Sequence, residues 1–339
     1  MFTKLRTSLF ATAALAVATP VLADEVNVYS YRQPELIDHL TAKFTEETGI
    51  KVNTAFLKKG MVEKMDAEGD RSPADLIFTV DISRLNAAVE AGHTQAVDSE
   101  VLKANIPAAL RDPAGQWFGL TTRARVVFAS KERVQNPPKT YNELADPKWK
   151  GKICTRSGTH AYNVSLVAAA IYHMGNDGAK AWLKGVKDNL GRKPQGNDRA
   201  QVKAVYAGEC DLAIGNTYYM GKMQNNTKNP EQKDWAASVN VVFPAFEGGG
   251  THVNISGMAL AKHAPNKANA IKLMEFLASA EAQSMYAEKN YEYPVAPGTK
   301  PSEQVASWGT FTPDTVNLVE IAKLRPAALK LIEEVDFNK

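Results

Sequence analysis

Apolar residues recur along the chain with the two periods that distinguish strands from helices. Short apolar runs predict strands at residues 26–30, 51–56 and 74–79. Alternating with them, apolar residues at intervals of three and four predict helices at residues 35–48 and 83–91, each followed by a glycine that can end a helix. This alternation predicts a parallel β-sheet covered by helices.

The same alternation continues through the rest of the chain. Further apolar runs predict strands at residues 119–129, 152–155, 211–215 and 239–243. Helical spacing predicts helices at residues 163–174, 179–190, 199–206, 267–277 and 279–287, followed by a largely helical tail from residue 314. Thr140 and Glu143 form a capping-box pattern, which predicts that another helix begins there.

No internal repeat, low-complexity tract or linker rich in proline and serine separates these elements. A chain of 339 residues nevertheless suggests two domains. We therefore expect two α/β lobes joined by crossover strands, with a ligand cleft between the lobes and a short hinge. The expected first lobe comprises residues 24–121 and about 243–290, and the second comprises residues 122–242 and about 291–339.

The first 23 residues have the order of a secretory signal. Lys4 and Arg6 precede an apolar stretch at residues 9–18, and small residues suited to cleavage occupy Val21 and Ala23. The stretch is shorter than the roughly 20 residues that span a bilayer. This order predicts export to the periplasm with cleavage after Ala23, and a buried N-terminal helix is the alternative.

The remaining chain has neither a long uncharged segment nor a strong net charge. We therefore expect no stable membrane insertion, and no lipid anchor because no cysteine follows the cleavage point. Cleavage leaves 38 basic and 37 acidic residues, so there is no electrostatic reason to expect nucleic-acid binding. We expect the mature protein to act as a monomer.

The sequence lacks the common motifs of hydrolases, metalloproteases and nucleotide-binding enzymes. It contains no GxSxG, HExxH, GxGxxG or GxxxxGK[ST] pattern. The glycine run at residues 248–250 is followed by no lysine that could meet a phosphate, and the six histidines are scattered. These observations argue against an enzyme, although a secreted hydrolase or transferase stays open as an alternative.

Two cysteines, Cys154 and Cys210, are present. In the oxidising compartment that export implies, an even number of cysteines permits one disulfide. Two buried free thiols are the alternative. A zinc site fits less well, because neither cysteine has a CxxC partner or a nearby histidine pair.

Three tyrosines follow predicted strands, at the strand ends where open α/β sheets place their ligands. Tyr162 lies eight residues after Cys154, and Tyr218 lies eight residues after Cys210 and directly before Tyr219. If the two cysteine-bearing strands are neighbours, all three phenols lie at one end of the sheet. Paired tyrosines usually serve packing and hydrogen bonding, so the pattern alone leaves a ligand role open.

From Glu25 almost to its end, the chain resembles the bacterial periplasmic ferric-ion-binding proteins, which have the two-lobed periplasmic-binding-protein fold. The most specific match is Asn-Thr-Tyr-Tyr at residues 216–219. Other matching segments mark the wider family and lie at residues 28–34, 44–52, 72–76, 119–126, 208–215, 251–257 and 292–295.

The resemblance implies that all three phenols bind ferric iron. Some relatives add a His or a Tyr ligand from an Arg-His-Tyr run after the first strand, whereas residues 32–34 here read Arg-Gln-Pro. Neither ligand is available, and we interpret the nearby Tyr29 and Tyr31 as strand packing or cleft lining. The chain thus resembles the subgroup that uses three tyrosines and an exogenous anion, commonly carbonate.

The chemistry of ferric iron is consistent with this implication. A hard cation prefers oxygen ligands, and it stabilises the deprotonated form of a phenol whose free pKa is about 10. Three phenolates cancel its charge, and an added carbonate suits a guanidinium. Arg123 is the first candidate for that contact, with Arg32 and Gln33 next, and a surface ion pair is the alternative for Arg123 and Arg125.

The resemblance therefore implies a function in transport without catalysis. We expect the protein to capture ferric iron in the periplasm and to deliver it to an inner-membrane ABC permease. An anion or polyamine receptor of the same fold is the alternative among binding proteins. In an anion receptor, the tyrosines would be packing residues and Arg123 would hold the ligand directly.

Overall fold

The computed structural model describes residues 24–339. The predicted signal sequence and its cleavage after Ala23 lie outside the described residues. The strands of the described chain are β1 (Glu25–Ser30), β2 (Lys51–Phe56), β3 (Leu76–Val80), β4 (Phe118–Ser130), β5 (Ile153–Cys154), β6 (Leu212–Asn216), β7 (Val239–Val242), β8 (Val253–Leu260) and β9 (Tyr293–Pro294).

Helices cover these strands along most of the chain. They are α1 (Asp38–Thr48), α2 (Met61–Glu68), α3 (Ile82–Glu90), α4 (Glu100–Asn105), α5 (Ala161–Asp188), α6 (Asp198–Tyr206), α7 (Tyr218–Gln224), α8 (Gln232–Ala237), α9 (Lys267–Ala278), α10 (Ala280–Asn290), α11 (Glu303–Ala306), α12 (Leu318–Lys323) and α13 (Arg325–Glu334). None of the helices between residues 24 and 339 is both long and apolar enough to cross a membrane.

The strands form a mixed sheet in the order β2-β1-β3-β8-β4-β6-β5, with β7 and β9 also paired to β4. β1 is parallel to β2 and β3, and β5 is parallel to β6. However, β8 is antiparallel to both β3 and β4, and β4 is antiparallel to β6. The parallel arrangement predicted from residues 26–91 is therefore confirmed for β1, β2 and β3. It does not extend to the long central strands β4 and β8, which run against their neighbours.

Strand β4 carries the chain from one half of the sheet to the other. Its first half pairs with β8 from Phe118 to Ala124, and its second half pairs with β6 from Arg125 to Ala129. All of its residues are buried. β8 runs beside it in the opposite direction, so two neighbouring strands cross between the halves, as the absence of a linker predicts.

Each half of the sheet has an apolar cluster of its own, and a third cluster spans both halves, from Ile77 of β3 to Leu212 of β6. Beside β1–β3, helices α1 and α9 bury their apolar faces, and the core there includes Phe44, Leu76 and Leu273. Beside β5 and β6, the core includes Phe128, Val205 and both cysteines. Burial of such apolar side chains is the main source of folding free energy, and here it fixes each half as a rigid support.

The two helices predicted at residues 163–174 and 179–190 are present as the two parts of α5, which meet at a kink at Gly175. A glycine allows the local φ of 71°, which other residues rarely adopt. Thr140 and Glu143 do exchange capping hydrogen bonds, but only a 3-10 turn at Asn142–Ala145 follows, since Pro147 comes shortly after it.

Candidate metal site

The cysteine-bearing strands β5 and β6 are parallel neighbours, with Cys154 beside Ala213. Their carboxyl ends therefore meet at one edge of the sheet, where the chain continues to Tyr162 and to Tyr218. The hydroxyl of Tyr218 donates to the hydroxyl of Tyr162 at 3.0 Å. The two cysteine-bearing strands are thus neighbours, and they bring the phenols of Tyr162 and Tyr218 to one end of the sheet.

Local hydrogen bonds fix each of these tyrosines. Tyr162 lies in the first turn of α5, where Nδ1 of His160 accepts a hydrogen bond from the Tyr162 backbone N–H at 3.2 Å. Tyr218 begins α7, and the preceding Thr217 exchanges two hydrogen bonds with Ala124 of β4, at 3.1 and 3.2 Å. The crossover strand therefore holds the start of α7 in place.

Tyr219 completes a cluster of three phenols. Its ring centre lies 4.4 Å from that of Tyr218. Tyr218 is buried, whereas Tyr162 and Tyr219 are half-buried and border accessible space. We call Tyr162, Tyr218 and Tyr219 the tyrosine cluster. It offers three oxygen donors to a cation that approaches from the open side.

Burial favours the protonated form of Tyr218 and of Tyr219. It raises the pKa of Tyr218 well above its ordinary value, and the neighbouring Tyr162 and Tyr219 raise the pKa further. Burial is also the main reason that the pKa of Tyr219 is raised. A bound cation reverses this preference by stabilising phenolates, so metal binding at the cluster would release protons.

Three side-chain cations lie beside the cluster. The guanidinium carbons of Arg156 and Arg125 lie 5.1 Å and 5.9 Å from the centre of the Tyr162 ring. Nζ of Lys222 lies 4.9 Å from the centre of the Tyr218 ring. Positive charges near a phenol favour its deprotonated form, and Arg156 thus opposes part of the effect of burial on the pKa of Tyr219.

Arg125 and Arg156 share one buried carboxylate. Nη1 of Arg125 donates to Asp198 at 2.7 Å, and Nη1 of Arg156 donates to the other oxygen of Asp198 at 3.0 Å. Arg125 also donates to Asn163 at 2.7 Å and to Asn216 at 3.0 Å. Because Arg125 and Asp198 are buried, a surface ion pair is the wrong interpretation for Arg125.

A second buried group of charges joins the crossover strands to the first half of the sheet. Arg32 donates to Glu292, Ser256 and Tyr286, each at 2.6 Å. Although burial disfavours its charged form, the Glu292 carboxylate raises the pKa of Arg32. Glu292 also accepts hydrogen bonds from Ser256 and from Thr121. The guanidinium of Arg32 is therefore occupied by contacts within the protein.

Arg123 belongs to the same group but has weaker contacts. It is 2% exposed, so a surface ion pair is the wrong interpretation for it too. Nη1 of Arg123 donates to Ser256 at 3.3 Å, and its buried Nε donates to no group within residues 24–339. Two guanidiniums thus face the single carboxylate of Glu292, which leaves an excess positive charge. Of the three predicted anion contacts, Arg123 has the most unused donors.

The remaining residues predicted near the site have other surroundings. The side chain of Gln33 is exposed. The hydroxyl of Tyr29 donates to Glu68 at 2.8 Å, and the hydroxyl of Tyr31 accepts from the Met61 N–H at 2.8 Å. Both of these tyrosines use their hydroxyls within the first half of the sheet, in keeping with their interpretation as packing residues. Within residues 24–339, no group of three or more His, Cys, Asp or Glu side chains could hold a metal ion.

A disulfide links the strands that lead to the tyrosine cluster. Cys154 and Cys210 are bonded, their Cα atoms are 5.9 Å apart, and both side chains are buried. The bond closes a loop with a sequence separation of 56 residues. A covalent link at this position keeps β5 and β6 side by side beneath the cluster.

We expect the double variant Cys154→Ala, Cys210→Ala to lose about 2–4 kcal/mol of unfolding free energy, because a closed loop restricts the unfolded chain. Urea unfolding of the variant and the wild type measures the difference. The mass of the unreduced mature protein should lack two hydrogen atoms relative to the reduced form. Two alkylatable thiols in denatured, unreduced protein would contradict the disulfide.

Three charged residues of this region are not predicted from the sequence. Asp198 and Glu292 pair with arginines 73 and 260 residues away, and no periodicity reveals such pairs. Lys222 does have a local signal, because it follows Tyr218 by four residues and therefore lies one helical turn further on. The four-residue spacing places Lys222 beside Tyr218 only if these residues are predicted to form a helix.

Comparison with known proteins extends over nearly the whole chain. Residues 71–311 match the family described as bacterial extracellular solute-binding protein. Iron uptake protein A1 of Synechocystis sp. is 47% identical over 322 residues, which cover 94% of this chain and 89% of the relative. The matched length indicates that the similarity is to whole proteins and not to one domain.

Two solved structures support the same comparison. Ferric iron-binding protein A of Mannheimia haemolytica in an open conformation superposes with a TM-score of 0.90 at 55% identity, covering 94% of this chain and all of that one (100%). A Trichodesmium protein in complex with iron and citrate superposes with a TM-score of 0.89 at 43% identity, covering 92% and 99%. These superpositions confirm the predicted two-lobed α/β fold.

Proposed function

The chain belongs to the family of bacterial extracellular solute-binding proteins, and from this premise we propose that it captures ferric iron at the tyrosine cluster. It then delivers the iron to an inner-membrane ABC permease and catalyses no reaction. The observation that carries the proposal is the convergence of three phenols at one sheet edge, with Tyr162 and Tyr218 hydroxyls 3.0 Å apart. The iron-binding relatives support the choice of metal.

The donor set suits ferric iron in charge and in chemical hardness. Three phenolates balance a triply charged ion, and oxygen is the donor that hard cations prefer. The guanidiniums of Arg125 and Arg156 lie over the Tyr162 ring, and their shared carboxylate on Asp198 fixes their position. The protein thus supplies the charge and the geometry, and the arriving metal displaces the phenol protons.

Three phenolates leave coordination positions of the iron unfilled, and an exogenous anion completes the site. Carbonate, or a larger carboxylate such as the citrate of the Trichodesmium complex, could occupy them. Arg123 is the residue that holds this anion, because its buried Nε and its weak contact to Ser256 leave donors free within the described chain. A guanidinium binds a carboxylate in bidentate fashion, which suits this role.

The proposed site lies between two lobes with the boundaries given above, residues 24–121 with about 243–290 and residues 122–242 with about 291–339. The crossover strands β4 and β8 form the hinge, and closure would bring the first lobe over the half-buried side of the cluster. We place the mature protein in the periplasm as a monomer, after cleavage behind Ala23.

Metal analysis of protein purified without chelator tests the proposal. We expect iron, together with an orange-red colour from charge transfer between phenolate and ferric ion. A colourless protein that is stabilised by an oxyanion would instead favour an anion receptor. Turnover of a substrate would favour a secreted hydrolase or transferase.

A further inference from the structure

Lys222 shares one face of helix α7 with the tyrosine pair. It follows Tyr218 by four residues and Tyr219 by three, and these are the spacings of neighbours on a helix surface. Its Nζ lies 4.9 Å from the centre of the Tyr218 ring and 6.0 Å from the centre of the Tyr219 ring. Its ammonium therefore lies directly beside the proposed iron ligands.

No carboxylate within residues 24–339 pairs with this ammonium. Glu292 and Glu35 act on Lys222 only as more distant charges. Two buried cations of the region differ, because Arg32 is bonded to Glu292 and Arg125 to Asp198, at 2.6 and 2.7 Å. A half-buried charge without a partner costs folding free energy unless a ligand provides the counter-charge.

The cations of Arg123 and Lys222 belong to different elements. Arg123 lies on the crossover strand β4, within the buried group around Ser256. Lys222 lies on α7, above the tyrosine rings. Carbonate that binds iron through two oxygens has one uncoordinated oxygen left, so one guanidinium satisfies it. A polycarboxylate retains further carboxylates, and these need a second cation.

Resting on the proposed function, we propose that Lys222 binds a carboxylate of the anion that accompanies iron, and that it thereby makes the site select polycarboxylates over carbonate. Lys222 is a specificity-determining residue in this assignment and donates no bond to the metal. The substrate class is then a ferric complex of an oxygen chelator with at least one carboxylate beyond those bound to iron.

The test compares two anions on iron-loaded protein. The dissociation constants of citrate and of bicarbonate are measured from the shift of the visible band, at one pH and ionic strength. In Lys222→Met the methylene stem keeps its packing but the charge is lost. Because a charge-assisted hydrogen bond is removed, we expect citrate binding to weaken about tenfold. We expect bicarbonate binding to stay within roughly twofold, since carbonate makes no such bond.

Two further variants complete the comparison. Lys222→Arg keeps the positive charge and should retain citrate selectivity. Lys203→Met removes a lysine of the same half of the sheet that lies over Trp235 and away from the cluster, and it should leave both dissociation constants unchanged. Equal weakening of citrate and bicarbonate in Lys222→Met would overturn the assignment, because the lysine would then act only through the tyrosines. Unchanged citrate binding would overturn it as well.

Failure of the proposed function looks different in the same experiment. If the wild-type protein showed no phenolate band with iron, the metal site itself would be refuted, and the role of Lys222 with it. A normal band with the wrong response to the two anions would refute only the role of Lys222.

Discussion

Replacing Tyr218 by phenylalanine is expected to weaken ferric-iron binding by more than about a hundredfold, since even outer-shell partners of a metal contribute tenfold to a hundredfold. Tyr218 contacts both other members of the tyrosine cluster, so its loss removes a ligand and disturbs the placement of the remaining two. The visible charge-transfer band should weaken or shift. Iron titration under competition with a chelator measures both effects.

Phenylalanine variants of the other two tyrosines test whether each of them also binds the iron. Tyr162→Phe and Tyr219→Phe should also weaken the band, because each removes one oxygen donor. Tyr206→Phe is the matched control, since Tyr206 is exposed in the same half of the sheet and contributes to neither the cluster nor its cations. Retention of both band and affinity in all three cluster variants would show that the metal binds elsewhere.

Acid is expected to release the iron, and removal of the anion is expected to weaken its binding. Burial raises the pKa of Tyr218 and of Tyr219, so the empty site holds protons that the metal must displace. Binding therefore releases protons, and lowering the pH favours the empty form. Protonation of carbonate acts in the same direction. Iron titrations with and without bicarbonate at several pH values measure both dependences.

Arg123 is expected to affect both the pH dependence and the anion dependence of iron binding. Arg123→Ala should weaken anion-dependent binding and move iron release to higher pH, because the anion loses its guanidinium partner. Arg123→Gln fills more of the buried space and separates loss of charge from loss of packing. Arg71→Ala removes an exposed arginine and is the control.

Equal affinity for iron with and without anion would show that the protein completes the site itself. A first-lobe residue such as Tyr29 or Tyr31 would then be the candidate ligand.

The regular elements of the fold are predictable where one face is apolar and the other polar. Strand β2 has the predicted bounds, Lys51–Phe56, and α1 ends at Thr48 as its apolar spacing and Gly49 indicate. Strand β8 is not predicted from the sequence, because it is buried along its whole length and yet includes Asn254, Ser256 and Gly257. Those polar and small residues form the hydrogen bonds and close contacts of the crossover, which sequence periodicity does not reveal.

Helix α7 shows a different reason for failure. Gly221 lies in its interior, where glycine lowers helix propensity. In the structure a Cβ at this position would collide with the Tyr291 ring, so the tertiary contact requires glycine against local preference. Because α7 is not predicted, the position of Lys222 above the tyrosine pair is not predicted either.

The candidate site is predictable as far as its chemistry is local in sequence. The equal spacing from Cys154 to Tyr162 and from Cys210 to Tyr218 indicates that two strands end together, and the structure places them side by side. The partners of Arg32 and Arg125 are not predictable, because Glu292 and Asp198 are distant in sequence. Burial of those pairs depends on the packing of whole lobes.

Anomalous diffraction at the iron edge, from crystals of the protein loaded with ferric iron and bicarbonate, tests the central claim most directly. We expect one strong peak within bonding distance of the hydroxyl oxygens of Tyr162, Tyr218 and Tyr219. An anion should lie between that peak and Arg123. A peak bonded to none of these three oxygens, or no ordered iron in protein that retains the metal in solution, would contradict the proposed site.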